Sequence, residues 1–169
     1  MDGDVMVANI SVTEMKFLIG KEERTFLQLG TVMTAPEQRN KGLNRLLLEK
    51  VLDIWRGKTD LIYLFANQSV LEFYPKFGFK PVQEYQHSIR VEASTVPSTL
   101  TKLDMTDSKQ INFVYEKVKS SLGIGEHSML NNPGLVMFYC TLFLKETVYF
   151  LVQQDAVVVM EHDGDTLNL

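Results

Sequence analysis

Residues 39–44 read Arg-Asn-Lys-Gly-Leu-Asn and open a stretch whose apolar spacing is helical. A helix begins with backbone N–H groups that have no intrahelical partner, and the positive end of the helix dipole adds to them. Such an end is a ready site for an anion, phosphate above all. Gly42 lets a ligand come close to the backbone, and Arg39 and Lys41 bring positive charge. On these six residues alone, an ordinary strand–loop–helix junction with basic surface residues fits at least as well. Other residue types offer less. Cys140 is the sole cysteine, so neither an internal disulfide nor a multi-cysteine zinc site can be built. It sits in the apolar run 135–144, where a buried small hydrophobe is expected rather than a nucleophile. His87, His127 and His162 lack the spacing of metal ligands, and no metal is expected.

The bulk properties narrow the field of functions. A chain of 169 residues, 45% hydrophobic and 22% charged, is expected to form about one globular domain with a full core. Its formal net charge of −4 gives no footprint for nucleic acid or an anionic membrane. The N-terminal Met-Asp-Gly-Asp has neither the basic nor the apolar region of a secretory signal. The run 135–144 is about half of the ~20 residues that cross a bilayer. A cytoplasmic location follows as the expectation.

The elements that would position the turn are legible in outline. Val5, Val7 and Ile10, then residues 15–19, then residues 25–33 read as three strands, separated by a polar break and by the charged turn Lys21-Glu22-Glu23-Arg24. From Gly42 the stripe Leu43, Leu46, Leu47, Val51, Ile54 and Trp55 predicts a helix, with Gly57 as its stop. A short strand over 61–66, a short helix over 69–77 limited by Pro75 and Gly78, and a strand over 82–91 follow. Residues 93–101 are polar, contain Pro97 and read as a linker. Asp107 or Ser108 can cap a helix with the stripe Ile111, Val114, Tyr115, Val118 and Leu122, ended by Gly123 and Gly125. Residues 135–144 fit a buried helix or a strand equally. Residues 147–153 and 156–161 read as a hairpin around Gln154-Asp155, and Gly164 turns the chain into 166–169. Alternation of strands and helices favours a mixed α/β layer.

A second motif lies further along: Asn67, then Tyr74, then Gly78-Phe79. Together with Val32…Pro36 and Arg39-x-x-Gly42-x-Asn44, in this order and spacing, it resembles motifs A and B of the GNAT superfamily of N-acetyltransferases. The resemblance covers residues 31–79. It implies a GNAT-like α/β (α+β) fold: a mixed, mainly antiparallel sheet with flanking helices and splayed central strands. It implies acetyl-CoA as co-substrate, with its pantetheine arm between the splayed strands and paired with the backbone at Val32, Met33 and Thr34. The pyrophosphate would sit on backbone amides over Asn40, Lys41, Gly42, Leu43, Asn44 and Arg45, beside Arg39. Asn67 would bond the arm and Phe73 pack beside it. Tyr74 would protonate the departing thiolate, although packing among Phe73, Phe77 and Phe79 also suits that ring. The acceptor would be a small-molecule or protein primary amine.

Three positions depart from the family pattern. Asn44 stands where a small Gly or Ala is usual. Residues 25–34 contain no Asp or Glu, although many members place their general base there; Glu72, Glu84 and His87 are available but read as surface or structural. The chain also starts at the strands before motif A, without the strand and two helices that usually precede them. Residues 1–92 therefore read as a GNAT core, 93–101 as a linker, and 102–169 as a weakly GNAT-like half-domain packing on the core or on a second chain in a homodimer. A tandem protein and a permuted single domain both fit. A degenerate module that binds acyl-CoA or a partner without catalysis is the alternative to an active transferase. An unrelated nucleotide-binding domain is disfavoured, because no Walker-type or dinucleotide glycine fingerprint is present.

Overall fold

A computed structural model describes residues 3, 5–92, 99–121 and 125–169. In chain order the elements are β1 (Ala8–Ile19), β2 (Glu22–Thr34), α1 (Leu43–Trp55), β3 (Leu61–Leu64), β4 (Leu100–Lys102), α2 (Ser108–Ser120), β5 (His127–Leu130), α3 (Pro133–Leu142), β6 (Val148–Leu151), β7 (Ala156–Val159), β8 (Glu161–Asp163) and β9 (Thr166–Asn168). They fall into two compact units, Met1–His87 with Gly125–Ser128, and Ser88–Ile124 with Met129–Leu169. Most of the expected linker, residues 93–98, lies outside the described residues, as do Leu122 and Gly123.

The first unit is built on a long hairpin. The three strands expected over residues 5–33 are two, β1 and β2, paired antiparallel from Ala8↔Thr34 to Ile19↔Glu22. Ser11 and Thr13 form no break, because they alternate with Ile10 and Val12, which pack on the core. The turn is only Gly20-Lys21; Gly20 has φ 65°, the positive φ that two-residue hairpin turns demand, and Glu22 to Arg24 already belong to β2. α1 then carries the chain to β3, which lies parallel to β2, giving the sheet order β3-β2-β1-β5. The crossover is anchored at Asp60. Its carboxylate accepts the Thr25 N–H at 2.8 Å and the Arg24 guanidinium at 2.9 Å, while its own N–H donates to the Thr25 carbonyl at 2.8 Å. The Thr25 amide first, and Arg24 second, hold the Asp60 carboxyl below the ordinary carboxylate range.

α1 spans the expected residues, between Gly42 and Gly57, but its buried face is rotated from the expected stripe. Leu48 is fully buried and packs with Leu27 and Leu29, flanked by Val51, Leu52 and Trp55. Leu46 and Ile54 are exposed at 64% and 46%. The run Leu46-Leu47-Leu48 fixes a helix but leaves its phase open by one residue, and tertiary packing chose the later one. The helix expected over 69–77 is instead two short 3-10 turns, Gln68–Val70 and Tyr74–Phe77. Pro75 has no N–H to donate to the carbonyl of Leu71, so an α-helix cannot run through it. The strand expected over 82–91 is irregular and exposed, with Val82 at 85% and Ile89 at 84%. Alternating apolar residues become a strand only beside a partner strand, and none of the described strands pairs with this segment.

The second unit has the antiparallel sheet β4-β6-β7 with α2 and α3. Asp107 caps α2 by accepting the Lys109 N–H. Of residues 135–144, open between helix and strand in sequence, 135–142 belong to α3, started by Pro133 in the first turn. Cys140 is buried with Leu103, Met105, Val114 and Val148, and burial pushes its thiol pKa up. It is a core residue. The hairpins β6–β7 and β8–β9 follow, the first with Asp155 at φ 51° and the second turning at Gly164. This is the expected mixed sheet with flanking helices.

The rotated face of α1 is directly testable. Leu48→Ala should lower unfolding free energy by about 2–5 kcal/mol, while Leu46→Ala should stay within about 0.5 kcal/mol of the parent, measured by urea denaturation.

Candidate active site

The parallel ladder between β2 and β3 runs only from Phe26↔Leu61 to Leu29↔Leu64. Past Leu29, β2 continues to Thr34 while β3 ends, and the chain after Leu64 turns away through Phe65 and Asn67. The divergence coincides with a bulge. Between the pairs Asn9↔Met33 and Ser11↔Gly30, the single residue Ile10 of β1 faces two residues of β2, Thr31 and Val32. Thr31 takes a left-handed φ of 48°, a conformation that costs a β-branched residue about 1–3 kcal/mol. The Asn9 side-chain amide donates to the Thr31 carbonyl at 3.2 Å and to Ser11 Oγ at 3.3 Å. A bulge bends its strand and breaks local pairing, so the two strands splay here. The gap between them is an open cleft of about 520 Å³ with Leu29, Gly30, Thr31 and Val32 along one wall and Leu64, Phe65 and Asn67 along the other.

Beyond Thr34 the chain makes a 3-10 turn at Pro36–Gln38 and reaches α1 through two left-handed residues, Asn40 at φ 62° and Gly42 at φ 76°. Gly42 is the N-cap and no side chain caps the helix. The first intrahelical bond is donated by Leu46 to the Gly42 carbonyl at 3.0 Å, which leaves the N–H groups of Leu43, Asn44 and Arg45 without helical partners. Arg39 Nε donates to the Thr34 carbonyl at 3.4 Å, and Lys41 Nζ to Gln38 Oε1 at 2.7 Å. The Arg45 side chain lies over the Phe77 ring and reaches Glu49, so only its backbone is directed to the helix end. Asn44, the unusual residue of the turn, accepts the Thr34 hydroxyl at 2.8 Å and ties the helix start to the end of β2.

Tyr74 packs in the aromatic cluster and also lines the cleft. Its ring is buried with Leu27, Leu29 and Leu48 and stacks edge-on against Phe73 and Phe79, at 5.2 and 5.9 Å between centroids. The residue also lines the cleft, its hydroxyl makes no hydrogen bond among the described residues, and the oxygen is not sealed from solvent. Burial pushes its pKa above the ordinary phenol value, so the group stays protonated through the neutral range.

Of the expected site residues, Val32, Asn44, Asn67, Phe73 and Tyr74 line the cleft. Arg39, Asn40, Lys41, Gly42, Leu43 and Arg45 form the turn at the helix start, and neither they nor Met33 and Thr34 line the cleft itself. Sequence reasoning missed Gly30, Thr31, Phe65 and Ser69, which do. A glycine inside a strand, here Gly30, was the available signal for a bulge. Glu72 is the one carboxylate among the lining residues, whereas Glu84 and His87 lie in the irregular segment after Phe79. No metal-binding cluster of His, Cys, Asp or Glu occurs among the described residues, and no described helix is long and apolar enough to cross a membrane.

The unit thus combines splayed strands with a helix N-terminus that no side chain caps. Residues 1–82 match the family model described as an acetyltransferase (GNAT) domain. No curated protein matches the chain. Among solved structures, it is similar to a probable N-acyltransferase of unknown function from Enterococcus faecalis V583 (18% identity, TM-score 0.54, 96% of this chain and 43% of that one). It is also similar to a GCN5-related N-acetyltransferase from Kribbella flavida (15% identity, TM-score 0.50, 99% of this chain and 44% of that one). A Trypanosoma brucei acetyltransferase aligns over 54% of this chain and 63% of its own, at 26% identity and TM-score 0.43. The chain thus spans less than two thirds of each of these proteins. The first two share its fold.

The raised pKa of Tyr74 carries a sign that stability measurements can check. Because the folded state holds the proton to higher pH than the unfolded chain, its contribution is complete below the unfolded phenol pKa. It is lost as pH rises through the folded value. Alkaline titration of urea stability should therefore show a steeper loss for the parent than for Tyr74→Phe; parallel curves would mean that the phenol is solvated in the folded state.

Proposed function

We propose that the chain is an acetyl-CoA-dependent N-acetyltransferase that moves an acetyl group to the primary amine of a small-molecule or protein acceptor. The observation that carries this reading is the edge of β2 beyond the β3 ladder, of which Gly30, Thr31 and Val32 line a cleft that reaches Asn44 in the first turn of an uncapped helix. The match of residues 1–82 to the acetyltransferase (GNAT) domain model supports it. The residues present suit the co-substrate. Apolar walls from Leu29, Leu64 and Phe65 alternate with backbone polar groups and the Asn67 amide, a match for an arm that is itself a chain of methylenes and amides. The free N–H groups of Leu43, Asn44 and Arg45 suit a pyrophosphate, with Arg39 and Lys41 as nearby positive charge.

Acetyl-CoA supplies an activated thioester. The chain's own part is to hold the arm extended along β2, to keep it between the splayed strands, and to deliver a proton. Tyr74 lines the cleft, and its hydroxyl, protonated and without a hydrogen bond among the described residues, is the group to give its proton to the departing sulfur as the acceptor nitrogen bonds the acetyl carbon and the C–S bond breaks. The nitrogen's surplus proton passes to solvent water, which in turn reprotonates the phenolate. One observation favours a module that binds acyl-CoA without transfer: β2 has no Asp or Glu over residues 25–34, and Glu72 is the sole lining carboxylate. Turnover separates the two readings.

Millimolar acetyl-CoA should raise the melting temperature by mass action. Gly42→Val should weaken binding more than Arg39→Ala, since the left-handed φ of 76° at Gly42 strains any residue with a Cβ. With an acceptor found by screening primary amines for release of free CoA thiol, Tyr74→Phe should cut turnover by roughly 10²-fold or more while leaving acetyl-CoA affinity nearly unchanged. Binding without turnover on any amine would support the non-catalytic module, and no binding would sink both readings.

A further inference from the structure

We propose that Asn9 is a positioning residue whose side-chain amide holds the Thr31 carbonyl toward β1 and thereby aims the Val32 N–H into the cleft. The inference rests on reading the cleft as the seat of the acyl-CoA arm. Asn9 lies on β1, does not line the cleft, and is half-buried. Its Nδ2 donates to two acceptors, the Thr31 carbonyl 22 residues away at 3.2 Å and Ser11 Oγ at 3.3 Å, which uses both of its protons.

The need for such a clamp comes from the bulge. Gly30 would be the natural residue for a left-handed conformation, yet its φ is not positive; the left-handed residue is its neighbour Thr31, at φ 48°. A branched side chain has no intrinsic reason to stay there. Between the ladder pairs on either side of the bulge, Asn9 supplies a side-chain bond across the hairpin to the Thr31 carbonyl. The consequence for the site follows from peptide geometry. A trans peptide points its C=O and its N–H in opposite directions, and none of the described peptide bonds is cis. With the Thr31 carbonyl drawn toward β1, the N–H of the same peptide, that of Val32, is directed to the side that β3 has vacated. Val32 lines the cleft there, and an amide carbonyl of an extended arm meets its donor. Asn9 thus acts on the ligand only through the backbone of β2.

The test uses the full chain and the variants Asn9→Ala, Asn9→Asp and Asn9→Ala combined with Thr31→Gly. Aspartate keeps the shape and loses both donors, whereas glycine takes a left-handed φ unaided. Calorimetric affinity for acetyl-CoA and amide hydrogen exchange at Val32 are the readouts. Asn9→Ala and Asn9→Asp should each weaken binding about tenfold, the worth of one hydrogen bond, and slow exchange at Val32, whose N–H, no longer aimed into the open cleft, can turn toward β1. Adding Thr31→Gly should return both toward the parent, which a merely stabilising role for Asn9 would not produce. Unchanged affinity and exchange in Asn9→Ala, or no recovery with Thr31→Gly, would overturn the proposal. If the parent itself does not bind acetyl-CoA, the reading of the cleft fails and exchange alone decides the role of Asn9: unaltered exchange refutes it, and altered exchange restored by Thr31→Gly upholds it. If Asn9→Ala does not fold, Asn9→Asp, alone and with Thr31→Gly, carries the same comparison.

Discussion

The backbone of β2 from Gly30 to Thr34 has hydrogen-bonding groups on both sides and a partner strand, β1, on only one. Unpaired strand edges are a liability in folded proteins, because each free N–H and C=O is a template for another chain. Here the edge is short and begins at a bulge. It opens on a cleft rather than on a flat surface. The cleft depends on that edge staying unpaired: a ladder continued past Leu29↔Leu64 would close the gap that Asn67 and Tyr74 line.

Several features of the unit hold that arrangement against closure. Asp60 fixes the start of the β2–β3 ladder through Thr25 and Arg24, so the parallel register cannot slide toward the splayed end. At the other end, Thr34 bonds Asn44, and the helix start is tied to the last residue of β2. Tyr74 packs its ring between the sheet and α1 and lines the cleft. A residue so packed is positioned more tightly than one on an exposed loop. The turn at Tyr74–Phe77, set by Pro75 and closed at Gly78 with φ 90°, supplies that packing without a regular helix.

What sequence could convey followed from how local each feature is. The helix over α1 was readable because Gly42 and Gly57 bracket an apolar run, and the phosphate-type turn because it is a contiguous hexapeptide. The phase of that helix was not readable, since Leu46, Leu47 and Leu48 in succession leave the buried residue to be chosen by Leu27 and Leu29. The bulge at Thr31 is a relation between two strands, two residues against one, and no single-strand pattern encodes it. The segment 82–91 shows the opposite failure: its alternation is strand-like, but a strand needs a neighbour, and periodicity does not reveal whether one is present. The motif singles out Tyr74; that the residue is at once core and cleft lining required the packing.

The central claim is that the unpaired edge of β2 and the bare start of α1 bind one extended ligand together. Hydrogen–deuterium exchange of the full chain, with and without saturating acetyl-CoA, measures this most directly. The account predicts slowed exchange in both segments, residues 30–34 and 42–46, with little change along the β1–β2 ladder at residues 22–28. Slowing in neither segment, or only at positions outside both, would contradict it.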